Sequence, residues 1–134
     1  MSLQYSTTLR NNQLSEIETT IGTAPHMIIY TGSAPANCAA TATGTTLVDI
    51  TLPSDWMNAP SSGSVTKNGT WTGTASGTGT AGYYRVYDSG ITTCGIQGTV
   101  TATGGGGDMT LDNTSIASGQ QVTISTYTIS AGNS

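Results

Sequence analysis

The sequence predicts a mainly β protein, an antiparallel β-sandwich of jelly-roll or immunoglobulin-like type with one short N-terminal helix, folded as a single domain over residues 1–134. Three observations predict it. Threonine is the commonest residue, with 27 copies, and 18 glycines accompany it; Thr suits a half-buried pleated surface and Gly the turns between strands. Only 7% of the residues are charged, against about 25% in an ordinary globular domain. Short runs of β-branched and aromatic residues, about seven in all, are separated by Gly, Pro, Ser and Asn in the manner of strands and turns.

A chain of 134 residues and 13.6 kDa buries about two-thirds of its unfolded surface, enough for one modest core. The hydrophobic share of 35% is low, but six Tyr and two Trp supply bulk that a disordered chain lacks.

The helix is expected over Ser6–Gly22. Leu14, Ile17 and Ile21 fall at i, i+3 and i+7 on one face, Ser6 is a good N-cap, and Gly22 ends the pattern. Leu9 lies off that stripe and offers a second apolar spot. After Pro25 the pattern is that of strands through residue 130. Met27–Thr31 is a short apolar strand ending at Gly32, and Ser33–Gly44 is a small-residue loop holding Cys38. Thr45–Leu52 alternates, with Val48, Ile50 and Leu52 on one side and Leu47, Asp49 and Thr51 on the other. A turn at Pro53–Asn58 carries Trp56 and Met57, and Val65–Thr72 is the next strand. The low-complexity stretch Gly73–Gly82 is expected to be a mobile loop.

Tyr83–Asp88 has the strongest strand signal, with Tyr84 and Val86 facing one way and Tyr83, Arg85 and Tyr87 the other. Thr93–Val100, Met109–Leu111 and Val122–Ile129 complete the set. Two similar passages, Thr41–Gly44 leading to Asp49–Leu52 and Thr101–Gly104 leading to Asp108–Leu111, hint at a duplicated hairpin.

Candidates for chemistry are few, and the chain is not expected to be an enzyme. His26 is the single histidine, so every Ser–His or Cys–His scheme must use it, and no G-x-S-x-G elbow is present. The acids Glu16, Glu18, Asp49, Asp55, Asp88, Asp108 and Asp112 lie on the helix or beside turns, where such side chains satisfy local backbone groups. The glycine run at 104–107 leads into a strand rather than a helix and has no Lys nearby, so it is not a phosphate loop; Asp108 and Asp112 are too far apart along a strand for a calcium loop. It is expected to be a flexible connector or a site of close approach to another chain. No catalytic residue, cofactor or metal ligand is assigned. Cys38 and Cys94 are expected to be reduced thiols, with a disulfide as the alternative.

Arg10, Lys67 and Arg85 are the only basic residues, and a net charge of −4 argues against nucleic acid or an anionic membrane as partner. The expected contact surfaces are the helix residues Leu9, Leu14, Ile17 and Ile21 and the strand residues Tyr83, Arg85 and Tyr87, types enriched in interface cores. Trp56 and Trp71 are expected in the core, with a sugar-stacking platform as the alternative.

Taken in order, LRNNQLSEIETTIG, IYTGSAPANC, LPSDWM, GTAGYYRVYDS and GTVTATGGGGDMTLDNTSIASGQQVTI resemble small proteins encoded among the virion genes of tailed bacteriophages, over nearly the whole chain. The resemblance carries no catalytic motif. It implies a capsid decoration, or cement, protein made in the host cytoplasm and located in the virion. The implied partners are the major capsid protein or other virion proteins and further copies of itself. A tail or head-fibre component, or a carbohydrate-binding module, is the alternative.

Overall fold

In a computed structural model that describes residues 3–131, the chain starts with the expected helix, α1 (Thr7–Ile21). The Ser6 hydroxyl accepts the Leu9 N–H at 3.1 Å, and Gly22, at φ +93°, donates its N–H to Glu18 O. Both ends therefore satisfy orphan backbone groups as the cap residues predict. Leu14 and Ile21 are buried and Ile17 packs against the same core. Arg10 Nε donates to Ala131 O at 2.7 Å, and the Gly63 N–H donates to Asn11 Oδ1, which ties the polar flank of the helix to its neighbours.

Ten strands follow among the described residues: β1 (His26–Thr31), β2 (Thr46–Thr51), β3 (Ser64–Thr66), β4 (Trp71–Thr74), β5 (Gly79–Tyr87), β6 (Cys94–Ala102), β7 (Met109–Leu111), β8 (Ser115–Ile116), β9 (Gln121–Ile124) and β10 (Thr128–Ser130). The main sheet runs β2-β1-β5-β6-β7, with β8 on the early end of β5, and the pairs β3–β10 and β4–β9 form two small sheets. Among the described residues the chain is mainly β with one helix, and its sheets are mixed and curled.

Pairing is antiparallel everywhere except between β6 and β7, which run parallel with Val100 opposite Met109. This departs from the all-antiparallel expectation. The glycine run makes it possible: Gly104 and Gly106 take φ of +88° and +82°, and the Gly107 N–H donates to Thr101 Oγ1 at 2.9 Å. A Cβ on Gly105 or Gly107 would stand 2.8 Å from Thr101. The run is a tight reversal against its own strand, not a flexible connector. The suspected duplication dissolves with it, because Asp49–Leu52 overlaps the antiparallel β2 and Asp108–Leu111 the parallel β7.

The stretch 73–82, expected as a mobile loop, is mostly strand. Its first residues pair with β9 and its last belong to β5. Small residues were chosen for close approach: a Cβ on Gly77 would meet Thr46 O at 2.3 Å. The predicted strand Val65–Thr72 splits into β3 and β4, and Val122–Ile129 into β9 and β10.

One face of the main sheet, with Val48, Ile50, Tyr84, Val86 and Val100, shares a core with Trp71, Val122, Ile124, Val65 and Tyr127 of the smaller sheets and their connections and with Leu14 and Ile21 of α1. Leu47 was expected on the opposite side from Val48. Both are buried, because a register slip between β1 and β2 pairs Ile29 with Val48 but Tyr30 with Thr46 and leaves Leu47 between.

Candidate functional site

The other face of the main sheet carries the expected strand cluster. Alternation along β5 puts Tyr83, Arg85 and Tyr87 there, beside Ile28 and Tyr30 of β1 and Gln97 of β6. The face is not open. The segment 33–43 folds over it, with Ala34 and Ala42 packed on Ile28, Tyr30 and Tyr83. Tyr83 is fully buried and Arg85 is 2% exposed, so the surface expected to dock a partner is already occupied by the chain's own loop. Among the strand candidates only Tyr87 is part-exposed.

Arg85 organises this cover. Its Nε donates to Gln97 Oε1 at 2.9 Å, and one Nη donates to both Asn37 O and Ala40 O, at 3.1 and 2.8 Å. The other Nη reaches the Tyr87 hydroxyl at 3.4 Å. Gln97 in turn donates to Pro35 O. No carboxylate appears among these partners, so the buried cation is held by carbonyl, amide and phenol oxygens. Tyr30 and Tyr83 stack with ring centroids 4.8 Å apart. The Tyr83 hydroxyl donates to Thr43 O at 2.6 Å and accepts from Thr43 N–H. Tyr30 and Tyr87 share a hydroxyl–hydroxyl bond of 2.9 Å, and burial, with Tyr87 next, pushes the Tyr30 phenol well above its ordinary range.

Cys38 lies on the turn that Arg85 holds over this face, and Cys94 lies on β6 beside it. Cys94 stands opposite Tyr87 and its thiol donates to Ile96 O at 3.4 Å. Burial pushes that thiol up to about 12, the adjacent Cys38 thiol adds to the shift, and the Arg85 charge opposes it. Only the count of two cysteines pointed to this placement, since 38 and 94 belong to unrelated patterns.

No family model, curated protein or solved structure matches this chain.

A second grouping lines a cleft of about 350 Å³ between α1, β6 and β10, with Tyr84, Asp108 and Tyr127 on its wall. The two phenols bond at 2.7 Å. Burial pushes Tyr84 up to about 12 and Tyr127 further still. Asp108 Oδ2 is occupied by the Thr99 N–H and hydroxyl. Phenols held this firmly neutral donate hydrogen bonds and do not act as bases at physiological pH.

The remaining candidates are engaged locally. His26 Nδ1 pairs with Asp49 Oδ1 at 2.7 Å across neighbouring strands. Asp88 accepts from Thr92 and Thr93 in the turn after β5, and Glu16 accepts from Thr20. Asp55 accepts from Asn68, and Asp112 lines a shallow hollow beside Gln121. Among the described residues no group of three or more His, Cys, Asp or Glu is placed to hold a metal, and no helix is long and apolar enough to cross a membrane. Trp56 and Trp71 are fully buried, so neither offers a face to a sugar.

Of the helix candidates, Leu14 and Ile21 are corrected to core residues, and Ile17, partly buried, packs against the same core. Leu9 is 46% exposed. Glu18 lies near Asp55 in a hollow with Ser15, Thr19 and Ser54. Burial raises its carboxyl above the ordinary 4.5, the Asp55 charge adds to the shift, and the Met57 N–H opposes it. A raised folded value means that Glu18 favours folding below its unfolded pKa and that this contribution is lost as pH rises through the folded one. Glu18→Gln is therefore expected to unfold at a higher temperature than the parent at about pH 7, with the difference gone by about pH 4. Thermal melts at both pH values test this, and equal melts at neutral pH refute it.

Proposed function

We propose that this chain is a virion structural protein of the capsid-decoration kind, which binds the outer face of a phage shell and stabilises it by protein–protein contacts. The observation that carries the reading is an apolar side chain on the outer side of α1: Leu9 is 46% exposed. The inner stripe of α1 is spent on the core, so Leu9 is left over from folding. An apolar side chain left exposed on a helix, in a chain this poor in charge, suits a surface that is covered on assembly. The resemblance to small phage virion proteins points the same way.

The fold reading that goes with it is a β-sandwich. Its support is the shared core, to which the main sheet and the β4–β9 and β3–β10 pairs all contribute side chains. The jelly-roll and immunoglobulin-like connections are both departed from by the short parallel step from β6 to β7.

Co-sedimentation with expanded, undecorated shells of the cognate phage tests the role. The parent chain is expected to pellet with shells, and Leu9→Glu, at an exposed position, to lose binding by roughly tenfold or more without a change in melting temperature. A parent chain that stays in the supernatant, or a Leu9→Glu variant that binds as the parent does, overturns the reading. Binding to tails instead of shells overturns it in favour of a tail component.

A further inference from the structure

We propose that Cys38 and Cys94 are a dithiol–disulfide pair that locks the segment 33–43 onto the main sheet. The placement of both residues is imposed by neighbours that do not involve sulfur. Asn37 Oδ1 accepts the N–H groups of Ala39 and Ala40, which folds 37–40 into a tight turn with Cys38 at its first corner. The carbonyls flanking Cys38, at Asn37 and Ala40, are both held by Arg85. On the sheet, the pairing of Tyr87 with Cys94 fixes the second cysteine one strand away from Arg85, on β6. The turn and the strand thus place the two cysteines on the same side of the sheet, one on the turn that Arg85 holds and the other opposite Tyr87, and both residues are partly exposed.

The chemistry is thiol–disulfide exchange with a low-molecular-weight disulfide of the glutathione type. Cys38, carried on the covering turn, attacks first as its thiolate. A Cys38–glutathione bond forms, the reagent's S–S bond breaks, and one glutathione thiolate leaves. Cys94 then gives its proton to solvent and its sulfur attacks Cys38 Sγ, with the nearby Arg85 charge favouring the thiolate. The second glutathione leaves as the Cys38–Cys94 bond closes. Two protein thiols lose two electrons in total, the reagent gains them, and the two protons released by the cysteines end on the two glutathiones.

In a reducing cytosol the pair stays as thiols and 33–43 is held by its hydrogen bonds and by the packing of Ala34 and Ala42; under oxidising conditions the bond closes a long stretch of chain and stabilises the fold through its unfolded state. This inference does not rest on the shell-binding role.

The test uses the folded full chain at about pH 8 with oxidised glutathione. Intact mass is expected to fall by two hydrogens, with both cysteines then blocked to alkylation. The same treatment of the urea-unfolded chain is expected to give the internal bond at least ~10-fold more slowly, since proximity is lost. The oxidised chain should melt roughly 5–10 °C above the reduced one, reversibly with a dithiol reductant. In Cys94→Ser, Cys38 should instead accumulate as a stable glutathione adduct. Independent alkylation of both cysteines after oxidation, separate glutathione adducts on each in the parent, or a bond between two chains overturns the proposal.

Discussion

Trp71→Ala is expected to lower the stability of the chain by about 4–5 kcal/mol, enough to leave much of the population unfolded at 37 °C. The indole has no solvent exposure and sits where the two small sheets meet the main core. Its ring lies 6.1 Å from Trp56 and 5.4 Å from Tyr127 at tilted angles, and Lys67 Nζ stands 5.7 Å over it. Its Nε1–H donates to Asn68 O at 3.0 Å. Alanine removes the ring volume, leaves that carbonyl without its donor and takes away the surface on which Tyr127 rests. Trp71→Phe keeps an aromatic ring and is expected to cost about 1–2 kcal/mol. Urea unfolding followed by the fluorescence of Trp56 measures both variants. A loss below about 2 kcal/mol for Trp71→Ala would mean that the core closes over the gap and that β4–β9 is not anchored through this ring.

Such a residue was legible in the sequence as a core candidate, because an aromatic beside a run of Thr and Val has few other uses in a chain with so little apolar material. The helix was legible down to its caps for a related reason: Ser6 and Gly22 act on their immediate neighbours. The alternation of Tyr83 to Tyr87 was also legible, and both faces of β5 are populated as it predicts. What covers each face was not. The loop that buries Tyr83 and Arg85 lies far upstream, and its Asn37, Ala40 and Thr43 contribute mainly backbone atoms, which carry no residue signature. The aromatic-and-Arg motif thus looked like a surface for another molecule when it is an internal clamp. The sequence offered a Cys38–Cys94 pair only as an alternative, since their placement follows from the turn that Arg85 holds and not from either local pattern. The parallel step from β6 to β7 escaped because so short a connection between parallel strands is unusual, and it is permitted only by glycines that close approach to Thr101 requires.

Glycine is where composition misled most, and Gly82 shows why. Low complexity around it suggested mobility, yet it lies inside β5, and the pairing of β1 with β5 slips just there, from Tyr30 opposite Tyr83 to Thr31 opposite Ala81. Gly82 is the extra residue of that bulge. A Cβ added to it would stand 1.9 Å from Gly32 O and 2.8 Å from the carbonyl carbon behind it. Both are backbone atoms just past the end of β1, so no side-chain rotation relieves the clash. Gly82→Ala must therefore part β1 from β5 at the centre of the main sheet, with an expected cost of about 3 kcal/mol or more. Gly104→Ala supplies the contrast. Gly104 has φ of +88° and open space where its Cβ would be, so only backbone strain opposes the change, at about 1 kcal/mol. Denaturant midpoints of the two variants, measured side by side, separate the effects. Equal losses would mean that β1 and β5 part easily at this point, and that the cover over Tyr83 and Arg85, which starts at Gly32, is held by its own hydrogen bonds rather than by the bulge that aims it.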